Sequence, residues 1–499
     1  MSKMLKFPSA HSILILIATG VAILTWLIPS GQYDRLSYNS DKQVFIVDNL
    51  NKNITIPASQ ASLDDLGVSI PLAKFTDGDI SKPISIPNTY AKLDARPQGI
   101  VSLIQSPLKG ILQTSDIILL VLIIGGLIGI VNATGAFEAG ISKLTQILKG
   151  KEYLLIVMVT ILIALGGTTF GLEEETIAFY PILIPVFLAA KYDAMVGVGS
   201  IYIGTSIGTM VSTVNPFSTI IASDAAGINW TVGLNARVYV LLIGLTICIA
   251  YLLRYAKRVR KDPTKSLIYS QKEAIEALFL HQGAATTAKL TKRLWLVLIV
   301  FAMTFVVMIY GVSRLHWWFL EMTSVFLAGA VVIGFIARIP ERTFVKTFVE
   351  GANDLLGVAF IIGIARGVTV LMEDGLISDT LLYYSSGLTE GMHKGLFVNV
   401  LLFLNSGLTF FIPSSSGMAV LTMPIMAPLA EGVGIGREVI VNAYIFGQGL
   451  FKFINPTGII LASLAIVNVG YDKWLRFITP LLVVLTIMAM TALTISAYT

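Results

Sequence analysis

Glu173, Glu174 and Glu175 follow twenty residues, starting at Tyr153, that carry no charge. Three adjacent carboxylates in such surroundings suit a cation, because a charge at the centre of a membrane costs about 2.5–3.5 kcal/mol on insertion scales and is retained for a function. Ser414, Ser415 and Ser416, followed by Gly417, offer the opposite chemistry. Hydroxyls and unbonded N–H groups at a helix start receive an anion or a carboxylate. Two Asn-Pro pairs, Asn215-Pro216 and Asn455-Pro456, have Ser212, Thr213 and Thr457 beside them, and Lys452 stands three residues before the second pair. A site for a cation and a site for a carboxylate match the two ends of an amino acid. A dianion would meet repulsion at the glutamates unless a cation or a proton intervened. Each group also has a plainer role: a polar turn for the glutamates, helix capping for the serines, satisfaction of freed backbone groups for Asn and Thr, and snorkelling to an interface for Lys452.

The solvent that these groups see follows from composition. Of 499 residues, 55% are hydrophobic and 13% charged, with a mean hydropathy of +0.79, against roughly 25% charged residues in soluble domains. The chain therefore reads as an all-α polytopic membrane protein. Its net charge of +5 does not point to nucleic acid, since ten Lys and Arg lie between Arg254 and Arg293 against three acidic residues. Such a cluster marks a cytoplasmic loop. A single cysteine, Cys248, and four scattered histidines leave no disulfide and no metal-ligand spacing. No nucleotide-binding loop occurs either, so neither metal, cofactor nor enzymatic activity is expected. Gly31 to Gln98, with eight aspartates and seven basic residues, is the polar exception, an external domain or long loop. Ile13 to Ile28, before it, lacks a small-x-small cleavage pattern and reads as a retained helix.

Lys3 and Lys6 place the N-terminus in the cytoplasm, and counting crossings places the C-terminus outside. Tyr153 to Ala190 would extend about 57 Å as a straight helix, against about 30 Å of hydrocarbon. It is expected to fold as a re-entrant hairpin with the glutamates at its tip, at a helix start. Residues 194–223 are expected to break at Asn215-Pro216, because proline removes a hydrogen bond and restricts the residue before it. The second half repeats the plan. "GLEEETIAFYPILIP" from Gly171 aligns without gaps onto "SSSGMAVLTMPIMAP" from Ser414, "VNPFSTIIAS" onto "INPTGIILAS", and "SLIQSPLKG" onto "TFVKTFVEG". The parity of crossings makes the repeats antiparallel, an arrangement that recurs in secondary transporters. The expected division is a first scaffold helix (1–30), the external segment (31–98), a first inverted repeat (99–254; hairpin 153–190, broken helix 194–223), a basic loop (255–293), linking helices (294–338) and a second inverted repeat (339–499; hairpin 395–430, broken helix 437–468).

On the motifs "PLKGILQTSD", "GLEEETIAF", "VNPFST", "SSSGMAVLTMPIMAPL" and "GQGLFKFINPTG", which span nearly the whole chain, the sequence resembles the YfcC type of the four-carbon-dicarboxylate carrier (DcuC-like) family, within the ion-transporter superfamily. The resemblance implies a secondary carrier of a bacterial inner membrane, a homodimer in the lipid bilayer, moving a transport domain against a scaffold. Its small-molecule substrate would be an amino acid, with arginine, ornithine and lysine favoured, or a four-carbon dicarboxylate; a channel is the remote alternative. Substrate binding is expected at Glu174, Glu175, Thr176, Thr213, Asn215, Pro216, Ser414, Ser415, Ser416, Gly417, Asn455, Pro456 and Thr457. Coupling is expected at Lys452, Gln448, Glu173 and Ser212. Glu174 and Glu175 match the family's Gly-x-Gly-Glu-Glu, whereas Glu173 replaces a glycine. Relatives resemble Gly-Asp-Gly-Phe-x-Asn where this chain reads Gly447-Gln448-Gly449-Leu450-Phe451-Lys452. Both changes make the site more positive, so Lys452 is expected where some relatives hold sodium, balanced by Glu174 and Glu175 or by a substrate carboxylate. Arg366 is expected to pair with an acidic group for structure.

Overall fold

The computed structural model describes residues 8–49, 52–78, 80, 82–279, 290–315, 317–387 and 392–499. Lys3 and Lys6, which carry the expected orientation of the N-terminus, lie outside the described residues, as do His281 and His316. Helix α1 (Ala10–Leu27) precedes the polar segment, whose short helices are α2 (Gln60–Asp65) and α3 (Ala73–Thr76). Eight helices then follow: α4 (Ile100–Gln113), α5 (Ser115–Ala133), α6 (Ala136–Ile147), α7 (Tyr153–Phe170), α8 (Tyr180–Ala189), α9 (Ala194–Met210), α10 (Ile221–Ala225) and α11 (Leu234–Lys261). After α12 (Lys272–Phe279), α13 (Lys292–Leu315) and α14 (Phe319–Ala337), the same order returns. It comprises α15 (Glu341–Asp354), α16 (Leu356–Gly375), α17 (Ser378–Gly387), α18 (Lys394–Phe411), α19 (Ser415–Gly432), α20 (Arg437–Lys452), α21 (Ile460–Val467) and α22 (Tyr471–Tyr498). Even the lengths return: 14 residues for α4 and α15, 18 for α7 and α18, 28 for α11 and α22. Among the described residues, nine helices are long and apolar enough to cross a membrane.

The two halves clasp each other. α4 packs along α16, and α15 along α5. A Cβ on Gly110 would fall 2.1 Å from the carbonyl oxygen of Gly363, and one on Gly351 would fall 2.4 Å from that of Gly125. Gly367 and Gly129 complete a Gly-x-x-x-Gly step on each long helix. Such steps let helix backbones touch where lipid supplies no hydrophobic force between helices.

One long helix links the surroundings of the α18–α19 pair to those of the α7–α8 pair. α11, about 42 Å long at 1.5 Å per residue, starts beside α20, where Arg237 donates to Asn442 Oδ1 (3.2 Å). It finishes beside the first pair, with Arg260 on Glu152 (3.1 Å) and the Tyr255 hydroxyl on Asp193 (2.9 Å).

The first turn departs from regular helix in readable ways. α7 stops at Gly171, whose φ of +77° is left-handed and whose Cβ would lie 2.8 Å from Asn215 Oδ1. The glutamates do not begin an α-helix as expected. Glu173 is irregular, Glu174–Phe179 is a 3₁₀ turn, and α8 starts only at Tyr180. The Thr176 N–H and hydroxyl both donate to the Glu173 carbonyl (3.1 and 2.6 Å), which closes the tighter i to i+3 turn. α19, by contrast, is continuous through Pro424 and Pro428. Between α9 and α10 the chain passes through a π-turn at Pro216–Ile220.

The polar segment, set apart from the helical membrane part in the sequence and with its fold left open there, is a small β-domain. β1 (Gly31–Gln32) pairs with β6 (Ala91–Lys92), while β2 (Arg35–Asn39), β3 (Val44–Asn49), β4 (Lys52–Pro57) and β5 (Ile84–Ser85) form an antiparallel sheet of order β4-β3-β2-β5. Leu36, Phe45, Val47 and Ile84 point into a small core with Leu63 and Phe75, the period-2 pattern of a half-buried sheet.

Candidate functional site

Lys452, the last residue of α20, is 8% exposed, and its Nζ lies 2.5 Å from Glu173 Oε2 and 3.0 Å from Ser415 Oγ. One ammonium therefore joins the tip of the first helix pair, the tip of the second, and the break in the second interrupted helix. The Tyr202 hydroxyl donates to the Lys452 carbonyl (2.9 Å), and the Tyr444 hydroxyl to the Ser415 carbonyl (2.5 Å). The counter-charge in contact is Glu173, not Glu174 or Glu175 as expected from sequence. Glu173 stands ahead of the 3₁₀ turn and reaches across to α20. Glu175 folds back to accept from the Glu173 N–H (3.2 Å), and Glu174 begins the 3₁₀ turn.

The remaining expected residues divide by what their side chains touch. Asn215 Oδ1 accepts from the Phe217 N–H (2.8 Å), and its Nδ2 donates to the Gly167 carbonyl of α7 (3.4 Å). Asn455 repeats this with the Thr457 N–H (3.1 Å) and the Thr409 carbonyl of α18 (3.3 Å). Both asparagines thus brace the turn before and across their prolines. Thr213 is tied to Thr168, Ser212 to Thr219 and Ser218, Thr457 to Asn455, and Thr176 to Glu173. Ser414 Oγ accepts from the Gly417 N–H (3.2 Å) as a cap. Arg366 pairs with Glu373 (3.0 Å) and Gln113 (2.8 Å), the structural role expected of it. Gln448 is 3% exposed, and its Nε2 has no hydrogen-bond partner among the described residues. It lies one turn from both Tyr444 and Lys452, which touch Ser415, so it faces the same tip.

Sequence reasoning missed three participants. Tyr202 and Tyr444 are not among the expected residues, although the i, i+4, i+8 spacing of Tyr444, Gln448 and Lys452 carries the signal. Lys82, in the β-domain, donates to Ser416 Oγ (2.6 Å) from across 334 positions of sequence, for which no local signal exists. Burial, and then the nearby Arg366 guanidinium, push the Lys82 ammonium down from its ordinary value.

A cavity of about 1100 Å³ lies between α5, α6, α8, α15, α16 and α21. Glu138, Asp354, Asn132 and Gln146 give it polar points among apolar walls, and Leu278 and Phe279 of α12, in the basic loop, also line it. It meets the first tip only through Pro181 and Ile182 and does not include the Lys452 cluster.

Doubled helical halves, two interrupted helices and a charge cluster between two tips define a multi-pass membrane transporter. The chain belongs to the C4-dicarboxylate anaerobic carrier (DcuC) family, whose sequence pattern matches residues 7–498. It is 42% identical over 482 residues to an uncharacterized protein of Haemophilus influenzae, covering 96% of this chain and 95% of that one. It is 31% identical over 506 residues to a putative basic amino acid antiporter, YfcC, of Escherichia coli, covering 97% and 94%. Among solved structures, the YdaH transporter of Alcanivorax borkumensis superposes with a TM-score of 0.40 at 12% identity, covering 98% of both chains. MtrF of Neisseria gonorrhoeae, described as illuminating a class of antimetabolite efflux pumps, gives 0.40 at 14% identity, covering 98% and 95%.

Proposed function

We propose that the protein is a secondary active transporter of amino acids, favouring arginine, ornithine and lysine, that works by exchange or proton-linked movement of a transport domain against a scaffold. The observation that carries this reading is the Lys452 bridge from Glu173 to Ser415. A tethered ammonium already lies between a carboxylate-rich tip and a serine-rich helix start, the position in which a cationic substrate group would compete for Glu173 while Glu174 and Glu175 supply further negative charge. A fixed cation also repels sodium, so coupling falls to the exchanged substrate or to protons. Gln448, buried one turn from Tyr444 and Lys452, offers an amide donor for a carboxylate at the second tip. The name given to the Escherichia coli relative agrees with this substrate class. In this reading the α7–α8 and α18–α19 pairs are re-entrant hairpins of two inverted repeats, and the large cavity is the approach from the cytoplasm. The assembly is a homodimer in the inner membrane.

A four-carbon dicarboxylate is the second reading. What favours it is Lys82 on Ser416 and Lys452 on Ser415, two ammonium groups on adjacent hydroxyls of one helix start. Counterflow in proteoliposomes separates the two. Internal arginine is expected to drive uptake of labelled lysine or ornithine, unaffected by replacing sodium with choline. Counterflow of succinate alone, or strict sodium dependence, would replace this proposal by the second reading.

A further inference from the structure

We propose that the β-domain is a plug that closes the molecule at the end where α18 and α19 open, and that it must lift from α19 before a substrate can reach the serine tip from that side. The inference rests on the transport reading in taking that tip as part of the substrate path. Four contacts fix the plug to the transporting elements. Lys82 Nζ donates to Ser416 Oγ at 2.6 Å. Val420 of α19, 4% exposed, is a member of the domain's own apolar core, with Leu421 and Ile221 packed against it. Lys74 pairs at 2.8 Å with Asp224 of α10, whose side chain is fully buried. A Cβ on Gly227, just beyond α10, would fall 2.4 Å from the Ser69 carbonyl oxygen, so the two backbones touch.

The other side of the domain is fastened to different elements. Arg35 makes a two-pronged contact with Asp379 of α17 (2.8 and 2.6 Å), the Tyr33 N–H donates to the same carboxylate (3.0 Å), and Tyr90 stacks on Tyr383 with ring centres 4.2 Å apart. Ser30, in the link from α1, donates to the Gly375 carbonyl (2.8 Å). A domain held at both sides cannot follow α19 without parting from one of them. A guanidinium fork on a carboxylate is stronger and more directional than a single ammonium contact, and the chain itself ties this side to α1. Separation therefore takes place at Lys82, Lys74 and Val420. A small cavity of about 190 Å³ lies between the domain and these helices, lined by Arg35, Glu373, Asp379, Ile412 and Leu421.

The test reads exposure of the covered helix and needs no substrate. In full-length protein carrying Cys248→Ala, reconstituted in liposomes, a Val420→Cys reporter is reacted with a membrane-impermeant methanethiosulfonate cation from the β-domain side. Adding Lys74→Ala and Lys82→Ala is expected to speed the reaction at least tenfold, while Lys42→Ala, on an exposed turn of the same domain, leaves it unchanged. Equal rates with and without the two lysines overturn the plug. As a second measurement, a short cleavable bis-maleimide joins Lys74→Cys to Asp224→Cys, a plug contact outside the residues assigned to substrate. Amino-acid counterflow is expected to fall at least tenfold and to return on cleavage, and counterflow that persists through complete cross-linking also overturns the plug. If uncross-linked protein shows no counterflow of amino acids while the labelling rates differ, the substrate reading fails and the plug stands.

Discussion

The Lys452 ammonium is the residue on which the arrangement of the tips turns. Leaving one partner of a largely buried pair alone costs up to about 3–5 kcal/mol, less here because the Glu173 side chain is 22% exposed. Glu173→Gln is therefore expected to lower transport at least tenfold, and the double variant Glu173→Gln, Lys452→Gln to be less impaired than the sum of the singles. Rates that simply multiply would mean that the pair is not coupled. Lys452→Asn is expected to impair transport or to make it sodium-dependent, and an inert variant in a sodium-dependent parent would reduce this lysine to a snorkelling cation. Glu174→Gln with Glu175→Gln is expected to weaken cationic substrates more than neutral ones, since buried charge-assisted contacts are worth about 1.5–3 kcal/mol each. Measured affinities that fall equally would favour a dicarboxylate. The oddity of Glu173–Glu175 and Lys452 was legible because charge is rare in apolar stretches. Their pairing was not, since 279 positions separate Glu173 from Lys452 and the resemblance drew attention to the two glutamates that follow.

The elements were legible by length and by proline: segments too long for one crossing became helix pairs, and both Asn-Pro sites interrupt their helices. What stayed hidden was how the ends are tied, because backbone acceptors leave no trace in side-chain patterns. Asn215→Ala and Asn455→Ala each remove a turn acceptor and a donor to a neighbouring helix, about 1–3 kcal/mol. Both are expected to lower the melting temperature of detergent-solubilised protein to a similar degree. A large loss of substrate affinity with no thermal change would make them ligands instead. At the opposite end of α7, the Glu152 carboxylate is pulled down to about 2, first by its own N–H and that of Gly150 and then by Arg260. A carboxylate below its ordinary value contributes stability that is complete above about pH 4.5 and is lost as pH falls toward 2. Glu152→Gln is therefore expected to lower the melting temperature at pH 7 but scarcely at pH 2, and an equal drop at both would remove the ionic contribution.

Across the whole molecule, the repeat was visible in aligned letters, whereas the β-domain was not. Its strands are short and separated by polar turns, so the alternation of Phe45 and Val47 covers too few residues to mark a sheet in the sequence, and its core also takes in Val420 from α19. If the helix pairs open to opposite faces, as proposed, residues at their open ends label from opposite faces. Lys151→Cys and His393→Cys are expected to react from opposite faces of the membrane, and reaction from one face would end the inverted-repeat proposal; Gly150, at φ +84°, is a poorer reporter because a side chain there is strained. The reciprocal glycine clasp has a consequence for biosynthesis. Gly125 and Gly129 leave the ribosome more than two hundred residues before Gly351, which at about 5–20 residues per second is a wait of roughly 10–45 s. During that interval α5 is in the bilayer with its small-residue face unmatched, and α4 waits likewise for α16. The first half is therefore a client of whatever shields such faces during insertion. A chain ending at residue 254 is expected to be degraded in the membrane unless residues 290–499 are supplied on a second polypeptide.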